Sequence, residues 1–188
     1  MKPIRTRAAL AAVAAAGLLA SGCAQTANSR MDSQGQVAAG GTDGTPWCAT
    51  RDLSASLRQL NPAAGNRYTV LVLTNTSGHS CRTQGWPGLQ LVDADGRNLH
   101  TMVIRDRTRT PRQLTLTPGD SAWSGLHTTQ VPGEADPADG GCPPVPEKLE
   151  VIPPDSRYRL KVAWVAGEVC NCGRIDAWPL QEGWGPRD

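Results

Sequence analysis

The cysteines are the residues of this sequence whose type and spacing could do chemistry. The chain has 188 residues and six cysteines. Cys23 follows a run of small and apolar residues near the start, and the other five are Cys48, Cys81, Cys142, Cys170 and Cys172. A thiol can close a disulfide, ligate a soft metal or carry a lipid, so each chemistry is weighed below against the spacing.

Disulfide formation is the chemistry that the five later cysteines favour. An exported domain folds in an oxidising compartment, where thiols pair. We expect Cys48 to pair with Cys81, a bond that would tie the start of the domain to its central hairpin and contribute about 3–4 kcal/mol in the chain-entropy model. The second bond would join Cys142 to Cys170 or Cys172, because residues two apart on a strand point to the same face. Either choice leaves one thiol free.

The Cys-Asn-Cys pair also invites a metal interpretation. Thiolate and imidazole ligands suit soft metals, and the candidates in the sequence are Cys142, Cys170 and Cys172 with one of His79, His100 or His127. However, no CxxC pair is present, and no histidine stands at a ligand spacing from a cysteine. We therefore expect no bound metal and no other cofactor.

Catalytic motifs are missing from the sequence. It contains no GxSxG, HExxH, SxxK or phosphate-binding loop, and its three histidines are scattered. The sequence therefore does not predict an enzyme.

The stretch 105–112, RDRTRTPR, is the strongest concentration of charge in the chain. Four arginines in so short a segment could bind an anion. We favour a solvated hairpin arm instead, because Asp106 interrupts the cluster and no glycine-rich phosphate cradle is near.

The N-terminal residues 1–22 have the pattern of a signal peptide. Lys2, Arg5 and Arg7 precede an apolar run, residues 8–20, that is too short to span a bilayer. Ser21-Gly22-Cys23 then resembles the bacterial lipobox, in which the signal is cut before the cysteine and the thiol receives a diacylglyceryl group. We expect Cys23 to be the lipid attachment site; the alternative is an ordinary secretory signal with Cys23 as a spare thiol.

Composition after the signal argues against nucleic acid as a partner. The whole chain has 19 Lys and Arg against 17 Asp and Glu. Removing residues 1–22, with three basic residues and no acid, leaves a formal charge of about −1, so we expect no nucleic-acid binding.

Residues 23–46 are mostly small and polar, and we expect a flexible linker between the lipid and the domain.

Short strands dominate the remainder, which we assign to one domain at 47–182 with a tail at 183–188. Both faces of residues 68–73 are apolar, as in the central strand of a two-layer sheet. Alternating patterns near residues 53–58, 89–92, 99–104, 113–117, 121–128, 149–152, 159–164 and 175–178 predict further strands. No window has a helical stripe, so the sequence predicts an all-β sandwich.

The aromatic residues are unusual, with no Phe, two Tyr and six Trp. Trp164 lies on the apolar face of its strand and is expected in the core, and Trp86 is expected over the end of a sheet. The pattern does not place Trp123, Trp178 or Trp184. Exposed tryptophans can stack on sugars, but packing is the commoner role and the one we favour.

Three segments resemble an actinobacterial family of exported domains of unknown function, DUF4232. They are LVLTNTSGHSC, GWPGLQLVDADGR and LTPGDSA, and the resemblance covers residues 47–179. It implies an immunoglobulin-like antiparallel β-sandwich, often behind a lipoprotein signal, with no established activity. It also implies that Cys142 and Cys170 are the late cysteines of the family pattern, so Cys172 is an addition and the expected free thiol.

These features together predict a lipid-anchored binding or structural module on the outer face of the plasma membrane. Its partner would be an envelope protein or a cell-wall glycan. The alternative is a lipoprotein that binds a metal or small solute through the region of Cys170 and Cys172.

Overall fold

The computed structural model describes residues 44–137 and 141–187. The expected signal peptide (1–22), the lipid attachment residue Cys23 and nearly all of the 23–46 linker lie outside these residues. Within the described part of the chain, no helix has the length and apolar character needed to cross a membrane.

The regular secondary structure of the described residues is almost entirely β-strand, as the sequence predicts. Helix is limited to a 3₁₀ turn, Thr50–Asp52, and one helical turn, Cys170–Gly173. The strands are β1 (Leu53–Gln59), β2 (Asn66–Asn75), β3 (Cys81–Thr83), β4 (Gly88–Val92), β5 (Met102–Arg105), β6 (Leu114–Leu116), β7 (Ser121–Thr129), β8 (Lys148–Ile152), β9 (Leu160–Ala163), β10 (Arg174–Ala177) and β11 (Gln181–Glu182).

Three sheets organise these strands. The largest has the order β1-β2-β7-β10-β5, and β11 pairs with β7 beside β10. The second has the order β4-β8-β9, and the third consists of β3 and β6. The long strands β2 and β7 pair over their whole length, from Asn66 opposite Thr129 to Thr74 opposite Ser121, which makes them the centre of the fold.

One strand pair corrects the expectation of a purely antiparallel fold. β10 runs parallel to β5, with Ile175 opposite Val103. Gly173 explains the direction, since a Cβ on it would lie 2.0 Å from the carbonyl oxygen of His100. Both strands begin immediately after this close contact and therefore leave it in the same direction. Alternation of apolar residues along a strand carries no information about that direction.

The main core lies between the large sheet and the β4-β8-β9 sheet. The large sheet contributes Leu71 and Leu73 from β2 with Leu126 from β7, and each is at most 1% exposed. Leu91 and Leu149 from the second sheet belong to the same buried cluster. Trp164 is 8% exposed in this cluster, as its position on the apolar face predicts.

The opposite face of β2 is also buried, which explains why that strand is apolar on both faces. Val70 is 0% exposed and Val72 is 3% exposed. Gly185 lies close enough that a Cβ on it would be 2.8 Å from both Val70 Cγ1 and Trp123 Cδ2. The segment 183–187, expected to be a tail, therefore packs on the outer face of the sheet. Arg58 fixes it further by donating a hydrogen bond to the carbonyl of Trp184 at 3.1 Å.

Candidate binding cleft

An open cleft of about 860 Å³ lies where the domain begins. One wall is the segment from Trp47 to Leu53, and the other is the connection from β8 to β9 with the first residue of β9, Leu160. We call it the aromatic cleft, defined by Trp47, Thr50, Arg51, Ser156, Arg157 and Tyr158. Its volume lies in the range of small-molecule sites, about 300–1,000 Å³.

Trp47 is held on a rigid backbone. The carbonyl of Pro46 accepts the N–H of Arg82 at 2.8 Å, and the N–H of Cys48 donates to the carbonyl of Arg82 at 2.9 Å. The Cys48–Cys81 disulfide crosslinks the same two segments. The Arg82 guanidinium lies 4.4 Å from the centre of the indole ring. Trp47 nevertheless remains 38% exposed, so a fixed aromatic surface is available to a ligand.

Tyr158 stands on the other wall and is 78% exposed. Its backbone is tied to the 3₁₀ turn, because the Thr50 hydroxyl donates to the carbonyl of Tyr158 at 3.1 Å. The Thr50 and Ser156 hydroxyls also hydrogen-bond to each other. The two walls are therefore connected by side-chain hydrogen bonds at the base of the cleft.

The arginines near the aromatic cleft differ in their partners. Arg159 forms an ion pair with a carboxylate, whereas Arg157 and Arg51 remain available to a ligand. Arg159 donates to Glu150 at 2.6 Å, and Lys161 lies 3.2 Å from the other oxygen of the same carboxylate. Burial raises the pKa of Glu150, but these two hydrogen-bonded cations outweigh it and hold the pKa below its ordinary value. Arg157 has no carboxylate within ion-pair distance among the described residues, and Arg51, 86% exposed, has only Asp52 at 3.7 Å.

The lining of the aromatic cleft offers groups that could bind a polar ligand. Aromatic rings and guanidinium groups give stacking surfaces and hydrogen-bond donors. Thr50 and Ser156 add hydroxyls, and Asp155 adds a carboxylate.

The four cysteines expected in disulfides are joined in two pairs. Cys48 is bonded to Cys81, with Cα atoms 4.8 Å apart, and Cys142 is bonded to Cys170, with Cα atoms 4.7 Å apart. Of the two partners that residue spacing left open for Cys142, the structure uses Cys170. Cys172 is the free cysteine of the described part of the chain.

The expectation that Cys170 and Cys172 share one face of a strand is wrong. They lie in the turn Cys170–Gly173, where Asn171 and Cys172 have φ values of 57° and 54°. The Asp136 carboxylate holds this turn by accepting the N–H groups of Asn171 at 2.6 Å and Cys172 at 2.8 Å. The two thiol positions therefore diverge, and the Cys172 thiol donates to the carbonyl of Ala135.

Three residues at this turn lie close enough together to hold a metal ion, but their two sulfur atoms are joined in a disulfide. Ligand atoms of Asp136, Cys142 and Cys170 lie within 4.8 Å of one another. The two sulfurs are bonded to each other, and a metal needs deprotonated thiolates. Of the three histidines considered, His100 is brought beside the turn, with its Nδ1 2.7 Å from the carbonyl oxygen of Cys172.

The other two histidines lie elsewhere. His127 Nδ1 is 3.1 Å from Asp176 Oδ2, and its ring stacks on Tyr68 at 5.0 Å between centroids. His79 Nε2 is 3.7 Å from Asp52. Neither shares a site with the cysteines.

Sequence analysis did not identify Trp47 or Tyr158 as a possible binding pair. A signal existed for each, because Trp47 directly precedes a disulfide cysteine and Tyr158 lies in a connection rich in Pro, Asp, Ser and Arg. An aromatic side chain in such a polar connection does not belong to a strand, so it has no sheet face to pack against. Their proximity depends on the β1–β9 contact, which no local pattern reports.

Comparison with protein families identifies the family of this domain. Residues 48–181 match the family described as Domain of unknown function (DUF4232). The match includes both disulfides and most of the aromatic cleft. No curated protein matches the chain.

Proposed function

We propose, from the premise that the chain belongs to the DUF4232 family of domains of unknown function, that it is a lipid-anchored binding module on the outer face of the plasma membrane. Its fold would be an immunoglobulin-like β-sandwich, and its role would be to hold a cell-envelope glycan rather than to catalyse a reaction. An actinobacterial envelope is the setting that the family resemblance and the arginine-rich, lysine-poor composition suggest.

Lipid attachment at Cys23 is supported by the sequence that precedes it. A basic start, an apolar run and Ser21-Gly22 together resemble a lipobox. The two disulfides support export, because such bonds persist in oxidising compartments. Residues 23–46 would then separate the lipid from the domain.

The aromatic cleft is the observation that favours a glycan as the ligand. Trp47 and Tyr158 expose ring surface on opposite walls, and sugars bind through stacking of their C–H faces on such rings. Arg157, Asp155 and Ser156 supply donors and acceptors for sugar hydroxyls between the rings. A protein partner needs no concave site of this size, so the cleft favours a glycan over an envelope protein.

A titration of cell-wall glycan fragments into the full chain tests this proposal. Saturable binding is expected, with a change in tryptophan fluorescence. Trp47→Ala should abolish the response, while Trp184→Ala, which removes another exposed tryptophan, should leave the affinity unchanged. An absence of saturable binding, or an equal loss in both variants, would reject the glycan. Crosslinking on intact cells that captures one protein reproducibly and no glycan would favour the protein partner.

Lipidation is tested separately by growing cells with a palmitate analogue. The protein should become labelled, and Cys23→Ala should remove the label and release the protein from the membrane fraction. Unchanged labelling of the Cys23→Ala variant would reject the anchor.

A metal or small-solute site at Cys170 and Cys172 is the weaker alternative. Cys170 has no thiolate to offer while it is bonded to Cys142. Metal content of the purified protein with and without reductant separates the two functions, since stoichiometric metal without reductant would favour the alternative.

A further inference from the structure

Four arginines, Arg105 at the end of β5 and three in its connection to β6, form no ion pair with a carboxylate among the described residues. Arg105, Arg107, Arg109 and Arg112 are all exposed, and each ion pair found among the described residues lies elsewhere. An arginine on a protein surface usually finds a carboxylate or remains solvated. Four guanidinium groups without an ion pair, within the eight residues 105–112, therefore make a site of strong positive potential.

Asp106, the one acid of this connection, forms no ion pair with the arginines, although the charge of Arg109 helps, after the hydrogen bonds from Thr108, to lower the pKa of its carboxyl. Its carboxylate accepts the N–H of Thr108 at 2.7 Å and the hydroxyl of Thr108 at 2.5 Å. Its backbone is fixed as well, since its N–H donates to the carbonyl of Ala177 at 2.8 Å and its carbonyl accepts Trp86 Nε1 at 3.1 Å. These contacts fix the backbone conformation at the start of the connection. The formal charge over residues 105–112 remains +3.

A cavity of about 470 Å³ lies beside these arginines. Arg109, Thr110 and Arg112 line one side, and Leu180, Gln181 and Glu182 line the other. We call it the arginine cavity. It shares no lining residue with the aromatic cleft. Glu182 is exposed and forms no ion pair with either arginine among the described residues.

We propose that the arginine cavity binds a phosphate group. Guanidinium groups present planar pairs of donors that match two oxygens of a phosphate. Two arginines with the Thr110 hydroxyl offer more donors than the two oxygens of a carboxylate can accept, while a phosphate offers more oxygens and up to two charges. The cavity is larger than one phosphate, so the group belongs to a phosphate ester whose organic part contacts the apolar side chain of Leu114.

Titrations of the full chain carrying Cys23→Ala, which removes the expected lipid, test this site. The soluble probes are inorganic phosphate, glycerol 3-phosphate and acetate, measured by calorimetry. The membrane probes are vesicles of phosphatidylglycerol and of phosphatidylcholine, measured by cosedimentation. Binding of glycerol 3-phosphate identifies a soluble ester as the source, and binding only to phosphatidylglycerol vesicles identifies a lipid headgroup.

The matched variants keep the total charge equal. Arg109→Gln with Arg112→Gln should raise the Kd for the phosphate probe at least about tenfold, as expected for loss of charge-assisted hydrogen bonds. Arg67→Gln with Lys148→Gln removes two positive charges elsewhere and should change the Kd less than about twofold, as for charges outside a contact. Equal thermal unfolding of both double variants checks that the fold is retained.

Three results would overturn the proposal. The first is no saturable binding to any phosphate probe or vesicle. The second is an equal loss of affinity in both double variants, which would mean that only bulk charge matters. The third is acetate binding as tightly as glycerol 3-phosphate, which would reject a phosphate-selective site.

Discussion

A Cβ atom on Gly125 would lie 2.5 Å from Cε3 of Trp178, so the indole packs directly on the backbone of β7. The N–H of Trp178 also donates to the carbonyl of Gly125 at 3.0 Å. Trp178 lies between β10 and β11, which both pair with β7, and its ring covers the outer face of the large sheet at Gly125. It starts the covering segment that ends with Trp184 and Gly185 over Val70.

Gly125→Ala should therefore destabilise the domain. The added methyl group cannot fit without moving the Trp178 ring, and such overpacking costs about 1–3 kcal/mol. Gly78→Ala is the matched control, because a Cβ there has no neighbour within 4 Å. Chemical denaturation should show a clear loss of unfolding free energy for Gly125→Ala and a change within about 0.5 kcal/mol for Gly78→Ala. Equal stabilities would mean that the ring moves aside without cost.

The sequence predicted the central strands well because each carries a clear apolar pattern. Residues 68–73 are apolar on both faces, and the structure shows that one face meets the core while the other lies under Trp123 and Gly185. The covering segment could not be predicted, since β11 has only two residues and no periodicity. β3, with three residues, was missed for the same reason.

The disulfides give a prediction about which thiols react. In the folded, unreduced protein an alkylating reagent should modify Cys172, which is free and partly exposed. Cys142 and Cys170 should react only after reduction, because their sulfurs are bonded. Peptide mapping by mass spectrometry measures this, and a Cys142–Cys172 crosslink in the native protein would contradict it.

Loss of the first disulfide should lower stability. The bond between Cys48 and Cys81 closes a loop with a sequence separation of 33, for which the chain-entropy model gives about 3–4 kcal/mol. Cys48→Ala with Cys81→Ala should lose about that amount in urea denaturation, while Cys172→Ser should change the unfolding free energy by less than about 1 kcal/mol. The double variant should also loosen Trp47, which the bond helps to position.

The turn that carries Cys172 had a sequence signal that a strand interpretation overlooked. Asn and Gly adopt positive φ more readily than other residues, and Asn171 and Gly173 flank Cys172 with φ values of 57° and 68°. The partner of the turn could not be read from the sequence. Asp136 lies far from it along the chain, in a long connection without periodicity, and only the folded chain brings its carboxylate to these N–H groups.

Asp136 should make stability depend on acid pH. Burial raises the pKa of Asp136, but the N–H groups of Cys172, Gly133 and Asn171 together outweigh it and hold the pKa below its ordinary value. A carboxyl whose folded pKa is depressed stabilises the fold above its unfolded pKa, about 3.9. That contribution is lost as the pH falls from about 4 through the folded pKa. Denaturation midpoints between pH 2 and 7 measure the loss.

Asp136→Asn tests the same carboxylate at neutral pH. The amide has one acceptor oxygen and no charge, so it cannot replace the hydrogen bonds to all three N–H groups, and a loss of about 2 kcal/mol is expected. Glu134→Gln removes a nearby exposed carboxylate and should change the unfolding free energy by less than about 0.5 kcal/mol. An unchanged acid dependence in Asp136→Asn would show that other carboxyls, such as Glu150, account for the whole effect.

Tyr158→Ala, in the aromatic cleft, should lower the affinity for glycan without lowering the stability of the fold. The side chain is 78% exposed, so its removal should change the unfolding free energy by less than about 0.5 kcal/mol. Glycan affinity should fall about fivefold to tenfold, as expected for loss of about 1 kcal/mol of ring contact. Thr50→Val is the contrasting variant: it removes the hydroxyl that bonds Ser156 and the carbonyl of Tyr158, so both stability and affinity should fall. If Tyr158→Ala binds glycan as tightly as the unmodified chain, the connection from β8 to β9 is not a wall of the binding site.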